Sequence, residues 1–284
     1  MTTPMRCARK LIHVLTCLVS LGAAAEAKDW THVKIATEGA YPPFNATSPS
    51  GKIVGYEPDL LNYICDHLKI TCDMIAQDFD GSIPGLLAGK FDGIMSGMSV
   101  TPKRQEVIAF TEQYSDTPTT FAVLKSNALA TMPLTGTHIS LVDRAAVSDK
   151  MEDVRKSLQG KTVGVQVATI QLDVMNQYLK DGVTIRTYKN NDEIVLDLKA
   201  GRVDAMIGSQ GNLNAAVEKA KGDIVYSGPF MNGGPLGGGA AFGMRKEDVE
   251  LKAMFDKEIK QAIADGTTKT LSMKWFHFDV TPQH

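Results

Sequence analysis

The chain has 284 residues, of which 43% are hydrophobic and 22% are charged, and its formal net charge is −2. These proportions are ordinary for globular proteins and exclude long disorder, a collagen repeat and a coiled coil. The near-neutral charge also argues against a nucleic-acid-binding protein, because such a protein needs a basic face to neutralise phosphates. The length predicts two domains of about 100–150 residues each.

The N-terminal segment 1–27 has the composition of a cleaved secretory signal peptide. A basic stretch at 6–10 precedes a mostly apolar run at 11–21, which is too short to span a bilayer. The small residues of Ala-Glu-Ala at 25–27 form a cleavage site, so we expect cleavage after Ala27. Cleavage removes three basic residues and one acid and leaves a net charge of −4. A membrane anchor is the alternative interpretation.

The rest of the chain alternates strand patterns with helix patterns. We predict strands at 33–37, 71–77, 91–95, 120–125, 162–165, 184–188, 203–207 and 240–244, and helices at 58–68, 82–88, 102–108, 170–179, 192–200, 213–220, 249–264 and 267–275. The stretch 126–160 is less regular and receives no predicted element. This alternation predicts an α/β fold with largely parallel sheets.

Two segments follow the same plan. Residues 79–96 run from a helix through Gly-Lys-Phe-Asp-Gly into a strand, and residues 192–208 run from a helix through Gly-Arg-Val-Asp-Ala into a strand. Each segment ends in a small polar loop. The repeat predicts two similar α/β lobes whose strand-end loops face each other.

The strongest candidate site follows the predicted strand at 91–95. Thr101 and Pro102 are typical residues for the N-cap and the first turn of a helix, and Arg104 lies one turn in. Free amides and the helix dipole favour an anion there, so a carboxylate or phosphate site is predicted. A pairing of Arg104 with a surface acid is the alternative. The candidate ligand residues of this segment are Gly97, Met98, Ser99 and Arg104.

Polar and aromatic residues also follow other predicted strands. They are Glu38 and Tyr41 after 33–37, Gln166 and Thr169 after 162–165, and Ser209 after 203–207. Because open α/β sheets bind ligands at the carboxyl ends of their parallel strands, we expect these residues to share one site. Thr169 either faces the ligand or simply caps the helix at 170–179. Phe79 is either a stacking wall for a ligand or a core residue.

The sequence does not support nucleophilic or metal-dependent catalysis. Gly-x-Ser-x-Gly, His-Glu-x-x-His and Walker motifs are absent, and the histidines beyond residue 27 are scattered. The glycine-rich segment 233–239 lacks the Lys-Ser/Thr pair and the helix of a nucleotide-binding loop. We therefore expect no cofactor, no metal and no enzymatic activity.

Cys65 and Cys72 are the two cysteines that remain after cleavage. In an oxidising compartment a lone pair of cysteines is expected to form a disulfide. The loop between them is short, so the bond should contribute about 2–3 kcal/mol. A redox or metal-binding pair is the alternative, but six intervening residues and the lack of a second His/Cys pair argue against it.

Several motifs resemble those of one protein family. They are Ile-Ala-Thr-Glu-Gly-Ala-Tyr-Pro-Pro-Phe at 35–44, Gly-Tyr-Glu-Pro-Asp-Leu at 55–60, Phe-Asp-Gly-Ser-Ile-Pro-Gly-Leu at 79–86, Phe-Asp-Gly-Ile-Met at 91–95, Ser-Val-Thr-Pro-Lys-Arg at 99–104 and Gly-Arg-Val-Asp-Ala at 201–205. Over residues 30–280 the chain is similar to the periplasmic amino-acid-binding proteins of ABC importers, in the family 3 branch. Within this branch it most resembles the opine binders of the nopaline and octopine kind. The Cys65/Cys72 pair matches the disulfide of the lysine/arginine/ornithine and histidine binders.

The resemblance implies a type II periplasmic binding fold, in which two parallel-rich α/β lobes are joined by two hinge strands and close on the ligand. Thr-Pro and Gly-Pro pairs interrupt the α/β pattern, so we expect the chain to cross between lobes near 115–120 and 226–230. The first lobe then comprises residues 28–116 plus 229–284, and the second comprises residues 117–228.

The family pattern also implies a role for each candidate residue. Arg104, Ser99 and Thr169 would hold the α-carboxylate of the ligand, and the backbone of Gly97 would accept from its amine. Phe79 and Tyr41 would sandwich the ligand side chain. Glu38 would meet a guanidinium, amine or amide, and Gln166 would line the second lobe.

Ser209 departs from the pattern, because plain amino-acid binders place an Asp there to pair with the ligand ammonium. Loss of that charge-assisted bond costs about 1.5–3 kcal/mol. A Ser can instead donate to the second carboxyl arm of an opine, which an Asp would repel. We therefore expect an opine as ligand, with a basic or polar amino acid such as arginine, lysine, ornithine or histidine as the alternative. A dehydratase-type enzyme on the same fold is a third interpretation.

These expectations together describe a periplasmic receptor. It would be a monomer that delivers its small-molecule ligand to an inner-membrane ABC permease, with no nucleic-acid partner.

Overall fold

The protein is described by a computed structural model, which covers residues 1–2 and 28–282. The expected signal peptide and its cleavage site therefore lie outside the described residues. The described part of the chain contains fourteen strands: β1 (His32–Thr37), β2 (Ala40–Tyr41), β3 (Asn45–Thr47), β4 (Ile53–Val54), β5 (Thr71–Ala76), β6 (Gly93–Ile94), β7 (Ala109–Ser115), β8 (Thr119–Leu124), β9 (His138–Ser140), β10 (Thr162–Gln166), β11 (Thr184–Tyr188), β12 (Ala205–Ser209), β13 (Ile224–Asn232) and β14 (Ala240–Met244).

The same residues form nine α-helices: α1 (Tyr56–Leu68), α2 (Ser82–Leu87), α3 (Pro102–Gln105), α4 (Arg144–Ser157), α5 (Ile170–Val174), α6 (Asn191–Lys199), α7 (Gln210–Lys219), α8 (Val249–Ala264) and α9 (Thr267–Trp275). A π-helical turn, Met175–Leu179, extends α5. Among these described elements, no helix is both long and apolar enough to cross a membrane.

Two mixed sheets carry the fold. The first has the strand order β5-β1-β6-β14-β7 and the second has the order β11-β10-β12-β8-β13-β9. In the first sheet β1 is parallel to β5 and β6, whereas β14 is antiparallel to β6 and β7. In the second sheet β10 is parallel to β11 and β12, whereas β8 is antiparallel to β12 and β13. The same arrangement thus occurs twice, with β6 and β12 in equivalent places, as the repeated plan in the sequence predicts.

Each sheet has its own hydrophobic core. The first sheet is covered by α1, α8 and α9, and the core there includes Leu60 and Ile64 of α1, Phe255 and Ile259 of α8, and Phe276 directly after α9. The second sheet is covered by α4 and α5, whose buried residues include Val147, Met151, Val154, Ile170 and Val174. Separate cores define two lobes, because each lobe buries its apolar side chains without the other.

The disulfide between Cys65 and Cys72 confirms that prediction and links the end of α1 to β5. The helix ends at Leu68, and the next residue, Lys69, adopts a left-handed conformation with φ 56° that turns the chain toward the strand. The bond therefore fastens an edge strand of the first sheet to the helix that covers it.

Helix α4 lies in the stretch that received no predicted element. The side chain of Asp143 caps it, accepting from the backbone N–H groups of Ala145 and Ala146. Its buried residues Val147, Met151 and Val154 recur at helical spacing, so the signal was present in the sequence but was masked by the many charged residues between them. Helix α3 is shorter than predicted and ends at Gln105.

Strands β2, β3, β4, β7, β9 and β13 were not predicted, and β13 bears on the expected lobe boundary. The Gly-Pro pair at 228–229 lies inside this strand, where a register shift between Ser227 and Met231 accommodates it. Residues 230–232 still pair with β9 of the second sheet. The chain passes from the first sheet to the second at 116–118 and returns at 233–239. Residues 230–232 lie in the second sheet, whereas the expected division gives 229–284 to the first lobe, so the exact lobe bounds stay a prediction.

Candidate functional site

A cavity of about 790 Å³, counting the space open to solvent, lies between the two lobes. It is formed where β1, β6, β10 and β12 end, as expected for the carboxyl ends of parallel strands. Nine of the ten predicted ligand residues line it: Glu38, Tyr41, Phe79, Gly97, Ser99, Arg104, Gln166, Thr169 and Ser209. Their direct contacts with a ligand remain predictions.

Met98 is the predicted residue that the structure does not bring to the cavity. Its side chain is 1% exposed and packs in the core cluster that contains Ile94, Phe110 and Ala241. Its backbone carbonyl accepts from the N–H of Ala241 at 3.1 Å. Because neighbouring side chains alternate along an extended segment, Met98 faces the core while Ser99 faces the cavity.

The guanidinium of Arg104 forms one end of the cavity. Thr101 caps α3 as predicted, with its hydroxyl accepting from the Arg104 N–H at 3.2 Å. Arg104 donates from Nη1 to the carbonyl of Ser99 at 2.9 Å and from Nη2 to the carbonyl of Ala168 at 3.2 Å, so it touches both lobes. Its ring neighbour is Phe79, whose centroid lies 5.6 Å from Cζ.

Arg104 remains available to an anion. Burial lowers the pKa of its guanidinium to about 10, which leaves the group cationic at neutral pH. Within residues 28–282 no acid forms an ion pair with it, contrary to the surface-pairing alternative. Three of its five N–H donors are not used by the two carbonyls. The arrangement therefore suits a carboxylate.

The Glu38 carboxyl is a second charged group of the cavity. Gln166 of the second lobe donates from Nε2 to Glu38 Oε1 at 2.8 Å, and Asn191 donates to Gln166 Oε1 at 3.0 Å. The pKa of Glu38 is raised to about 7, chiefly by burial and to a smaller extent by the nearby carboxylates of Asp192 and Asp78, while the Gln166 hydrogen bond opposes the rise. The pKa is raised because the buried carboxylate lacks compensating charge. A cationic ligand group beside Glu38 would therefore stabilise the carboxylate.

Asn191 strengthens this preference. Its side chain is 5% exposed and lines the cavity, and its Oδ1 has no hydrogen-bond partner among the described residues. Buried amide oxygens are usually paired, so this atom is suited to accept from a ligand N–H. Sequence analysis missed Asn191, although it follows β11, the parallel neighbour of β10. Applying the strand-end rule to that strand would have found it.

Tyr41 and Ser209 join the two lobes beside the cavity. Their hydroxyl oxygens lie 2.7 Å apart, and Ser209 also caps α7 by accepting from the N–H of Asn212 at 3.3 Å. The amide of Asn212 donates across to the carbonyl of Pro42 at 2.7 Å. The ring of Tyr41 stacks on Phe44 with centroids 5.3 Å apart. The lobes therefore stand in contact in this structure.

Thr169 is the cap that sequence analysis predicted. Its hydroxyl accepts from the N–H of Leu172 at 3.3 Å and donates to the carbonyl of Gln166 at 2.7 Å. Gln171, which was not predicted, donates to the Thr119 hydroxyl at 3.0 Å and also lines the cavity. Asp116, in the first crossing, contributes another carboxyl to the lining, and burial raises its pKa.

Residues 1–2 and 28–282 contain no group of three or more His, Cys, Asp or Glu side chains placed to hold a metal ion. The lining of the cavity combines an arginine, two carboxyls, hydroxyls, amides and aromatic rings.

The chain matches known proteins over most of its length. The family model of the bacterial extracellular solute-binding proteins, family 3, matches residues 33–278. The octopine-binding periplasmic protein of Rhizobium meliloti is 44% identical over 280 residues, which covers 92% of this chain and 94% of that protein.

Two solved structures have the same fold. One is a periplasmic His/Glu/Gln/Arg/opine family-binding protein from Silicibacter pomeroyi in complex with lysine, with a TM-score of 0.70 and 29% identity, covering 88% of this chain and 100% of that one. The other is an ancestral amino-acid-binding protein described as a precursor of cyclohexadienyl dehydratase, with a TM-score of 0.72 and 28% identity, covering 87% of this chain and 96% of that one.

Proposed function

This chain belongs to the bacterial extracellular solute-binding proteins of family 3, and on that premise we propose that it captures an opine between its lobes and delivers it to an inner-membrane ABC permease. The observation that carries the proposal is one cavity that holds the Arg104 guanidinium and the Glu38 carboxyl. A ligand with a carboxylate and a guanidinium, as in the arginine-derived opines, complements both groups.

Each part of such a ligand has a partner in the lining. The free donors of Arg104 suit the α-carboxylate, and Glu38 with Asn191 Oδ1 suits the guanidinium. Tyr41 and Phe79 supply aromatic surface for the aliphatic stem. Closure of the two lobes would bury these contacts, because each lobe contributes part of the set.

Ser209 supports an opine over a plain amino acid. If Tyr41 donates to Ser209, the proton of the Ser209 hydroxyl is free for the second carboxylate of an opine. An acid at this position would repel that carboxylate. The R. meliloti relative, 44% identical, is named for octopine, which supports the same ligand class.

A basic amino acid such as arginine or lysine is the second candidate. Arg104 and Glu38 complement arginine as well as an opine, and Asp116 offers a carboxyl for its ammonium. The S. pomeroyi structure holds lysine. What separates the two candidates is the second carboxylate arm, which only an opine carries.

Titration calorimetry with the protein that lacks residues 1–27 tests the proposal. Octopine, nopaline, arginine, lysine and histidine are the ligands, and we expect octopine or nopaline to bind more tightly than arginine. Tighter binding of arginine would favour the second candidate. Binding of none of the five would overturn the proposal.

We propose binding without turnover. Relatives are named as binding proteins, while one structural neighbour is a dehydratase precursor, and Glu38 is an acid with a pKa of about 7 in the cavity. Mass spectrometry of ligand recovered after long incubation decides this question. Recovery of unchanged ligand agrees with a receptor, whereas a dehydrated product indicates an enzyme.

The site of action and assembly state belong to the same proposal. The chain would act in the periplasm as a monomer after cleavage behind Ala27. Cell fractionation with N-terminal sequencing tests the location, and light scattering on the purified protein tests the monomer.

A further inference from the structure

Glu57, the second residue of α1, is a fully buried acid. Its side chain is 0% exposed, and it forms no ion pair within the part of the chain that the structure describes. Glutamate is rarely buried unless it is paired, because removing its charge from water is costly. Glu57 does not line the cavity, so ligand contact does not account for it.

Three hydrogen-bond donors take the place of a cation. Glu57 Oε1 accepts from the N–H of Gly97 at 2.7 Å and from the hydroxyl of Tyr114, and Oε2 accepts from Nδ2 of Asn45 at 2.6 Å. Because all three partners donate, they hold the carboxylate in its acceptor form. Burial raises the pKa of Glu57, and these three donors oppose that rise.

Each donor belongs to a different part of the first lobe's half of the site. Asn45 passes the contact on, since its Oδ1 accepts from the N–H of Gly39 at 2.7 Å, directly after Glu38. Gly97 lies in the loop that follows β6 and lines the cavity. Tyr114 is the next-to-last residue of β7 and precedes the first crossing between lobes.

The loop at Gly97 leaves little freedom in this position. Its φ is 57°, and a Cβ there would lie 2.8 Å from Cε1 of Tyr41. A shift of Gly97 would therefore move Tyr41, whose hydroxyl contacts Ser209 in the other lobe. The backbone beside Glu38 and the backbone under Tyr41 are thus held by one carboxylate.

We propose that Glu57 is a positioning residue for ligand binding, which holds the loops of Glu38 and Gly97 in register with each other and with the crossing strand. This inference rests on the proposed function only in treating the interlobe cavity as the ligand site.

The variant Glu57→Gln removes the charge and keeps the shape. Its amide oxygen can still accept from Gly97 and Tyr114, but its NH₂ group then faces the NH₂ group of Asn45. If Asn45 turns its amide, the N–H of Gly39 loses its acceptor. We expect the affinity for octopine to fall at least tenfold.

The double variant Glu57→Gln/Asn45→Asp restores the matching of donors and acceptors, with the negative charge moved from position 57 to position 45. The introduced aspartate would accept from both the Gly39 N–H and the new glutamine amide, so every donor again has an acceptor. We expect its affinity for octopine to return to within about threefold of the wild type. Glu258→Gln is the matched control, because Glu258 is also buried, at 5% exposure, but lies on α8 with Lys257 and His67 as its ion-pair partners.

Calorimetry with octopine and with arginine measures the affinities. Amide hydrogen exchange by NMR in the ligand-free protein measures how well the backbone N–H groups of Gly39 and Gly97 are protected. Glu57→Gln should speed exchange at Gly39, the double variant should restore protection, and Glu258→Gln should behave like the wild type. Failure of the wild type to bind either probe would refute the proposed ligand while the exchange data still test Glu57. Unchanged exchange at Gly39 and Gly97, or unchanged affinity in Glu57→Gln where the wild type binds, would overturn the inference.

Discussion

The Gln166 amide of the second lobe donates to the Glu38 carboxyl of the first, from Nε2 to Oε1 at 2.8 Å. The same amide nitrogen donates to the carbonyl of Lys189 at 3.0 Å, and Asn191 donates to Gln166 Oε1. Glu38 is therefore held across the lobe interface by a polar chain that ends in the free oxygen of Asn191. A cationic ligand group would enter this chain at its charged end.

Ligand affinity should rise with pH. The pKa of Glu38 is raised to about 7 by burial, so the free protein holds this carboxyl protonated below that pH. A guanidinium ligand needs the carboxylate, so affinity for arginine or octopine should be about tenfold weaker at pH 6 than at pH 8 and level off above pH 8. Calorimetry across this range measures it, with Glu38→Gln as the control that should lack the dependence. A pH-independent wild type would contradict the assignment.

The stability of the ligand-free protein should change in the opposite sense. The pKa of Glu38 is raised from 4.5 to about 7 on folding, so the folded state binds the proton more tightly than the unfolded state. The contribution of Glu38 to the free energy of unfolding should fall as pH rises from about 4.5 to 7 and stay constant above that range. Urea titrations of wild type and Glu38→Gln at pH 5 and pH 8 isolate it, and equal differences at both values would speak against the raised pKa.

Arg104→Ala should abolish high-affinity binding and leave the fold intact. The guanidinium offers charge-assisted donors to a carboxylate, and loss of such a pair corresponds to at least about a hundredfold in Kd. Calorimetry gives the affinity, and circular dichroism gives the fold. Lys103→Ala is the control, since Lys103 is an exposed neighbour on the same short helix. Unchanged affinity in Arg104→Ala would rule out this residue as the carboxylate clamp.

Ser209→Asp should weaken an opine and spare or improve arginine. The new carboxylate would repel the second carboxylate of the opine and pair with the ammonium of arginine. Asp is a good N-cap, so α7 should keep its start. Ser209→Asn separates charge from size, because it also caps and is neutral. Titration of both ligands into each protein tests the idea, and a Ser209→Asp variant that still prefers the opine would refute it.

The exported protein should contain no free thiol. Alkylation under non-reducing conditions followed by mass spectrometry should leave Cys65 and Cys72 unmodified, because they are joined. Cys65→Ser/Cys72→Ser should lower the free energy of unfolding by about 2–3 kcal/mol through the loss of the closed loop. Ligand affinity should stay the same, because neither residue lines the cavity. Two alkylated thiols in wild-type protein would contradict the prediction.

Local sequence patterns predicted many of the residues that line the cavity. Thr101 and Thr169 were recognisable as caps because an N-cap needs only a side-chain oxygen and the amides two or three residues on. Glu38, Gln166 and Ser209 were recognisable because polar residues after apolar strands mark the carboxyl ends of parallel sheets. Ser209 as a cap was overlooked, although the same local rule applies to it.

Other features depend on residues far apart in the sequence. The crossing at 233–239 follows from β13 pairing with β8 and β9, which no local pattern encodes in a strand that contains Gly-Pro. Met98 is buried in the core, whereas its neighbour Ser99 lines the cavity. Only the packed sheet decides which of the two faces the core.

The sequence by itself determined the repeated α/β plan, the cysteine pair and the residue types at the strand ends, because hydrophobic period, capping and spacing act over a few residues. Only the tertiary structure decided which atoms pair across the lobes and why Glu57 is buried among Asn45, Gly97 and Tyr114. The Glu57 contacts join segments 12 to 57 residues apart in the chain, and their energies depend on burial that exists only after the first lobe has packed.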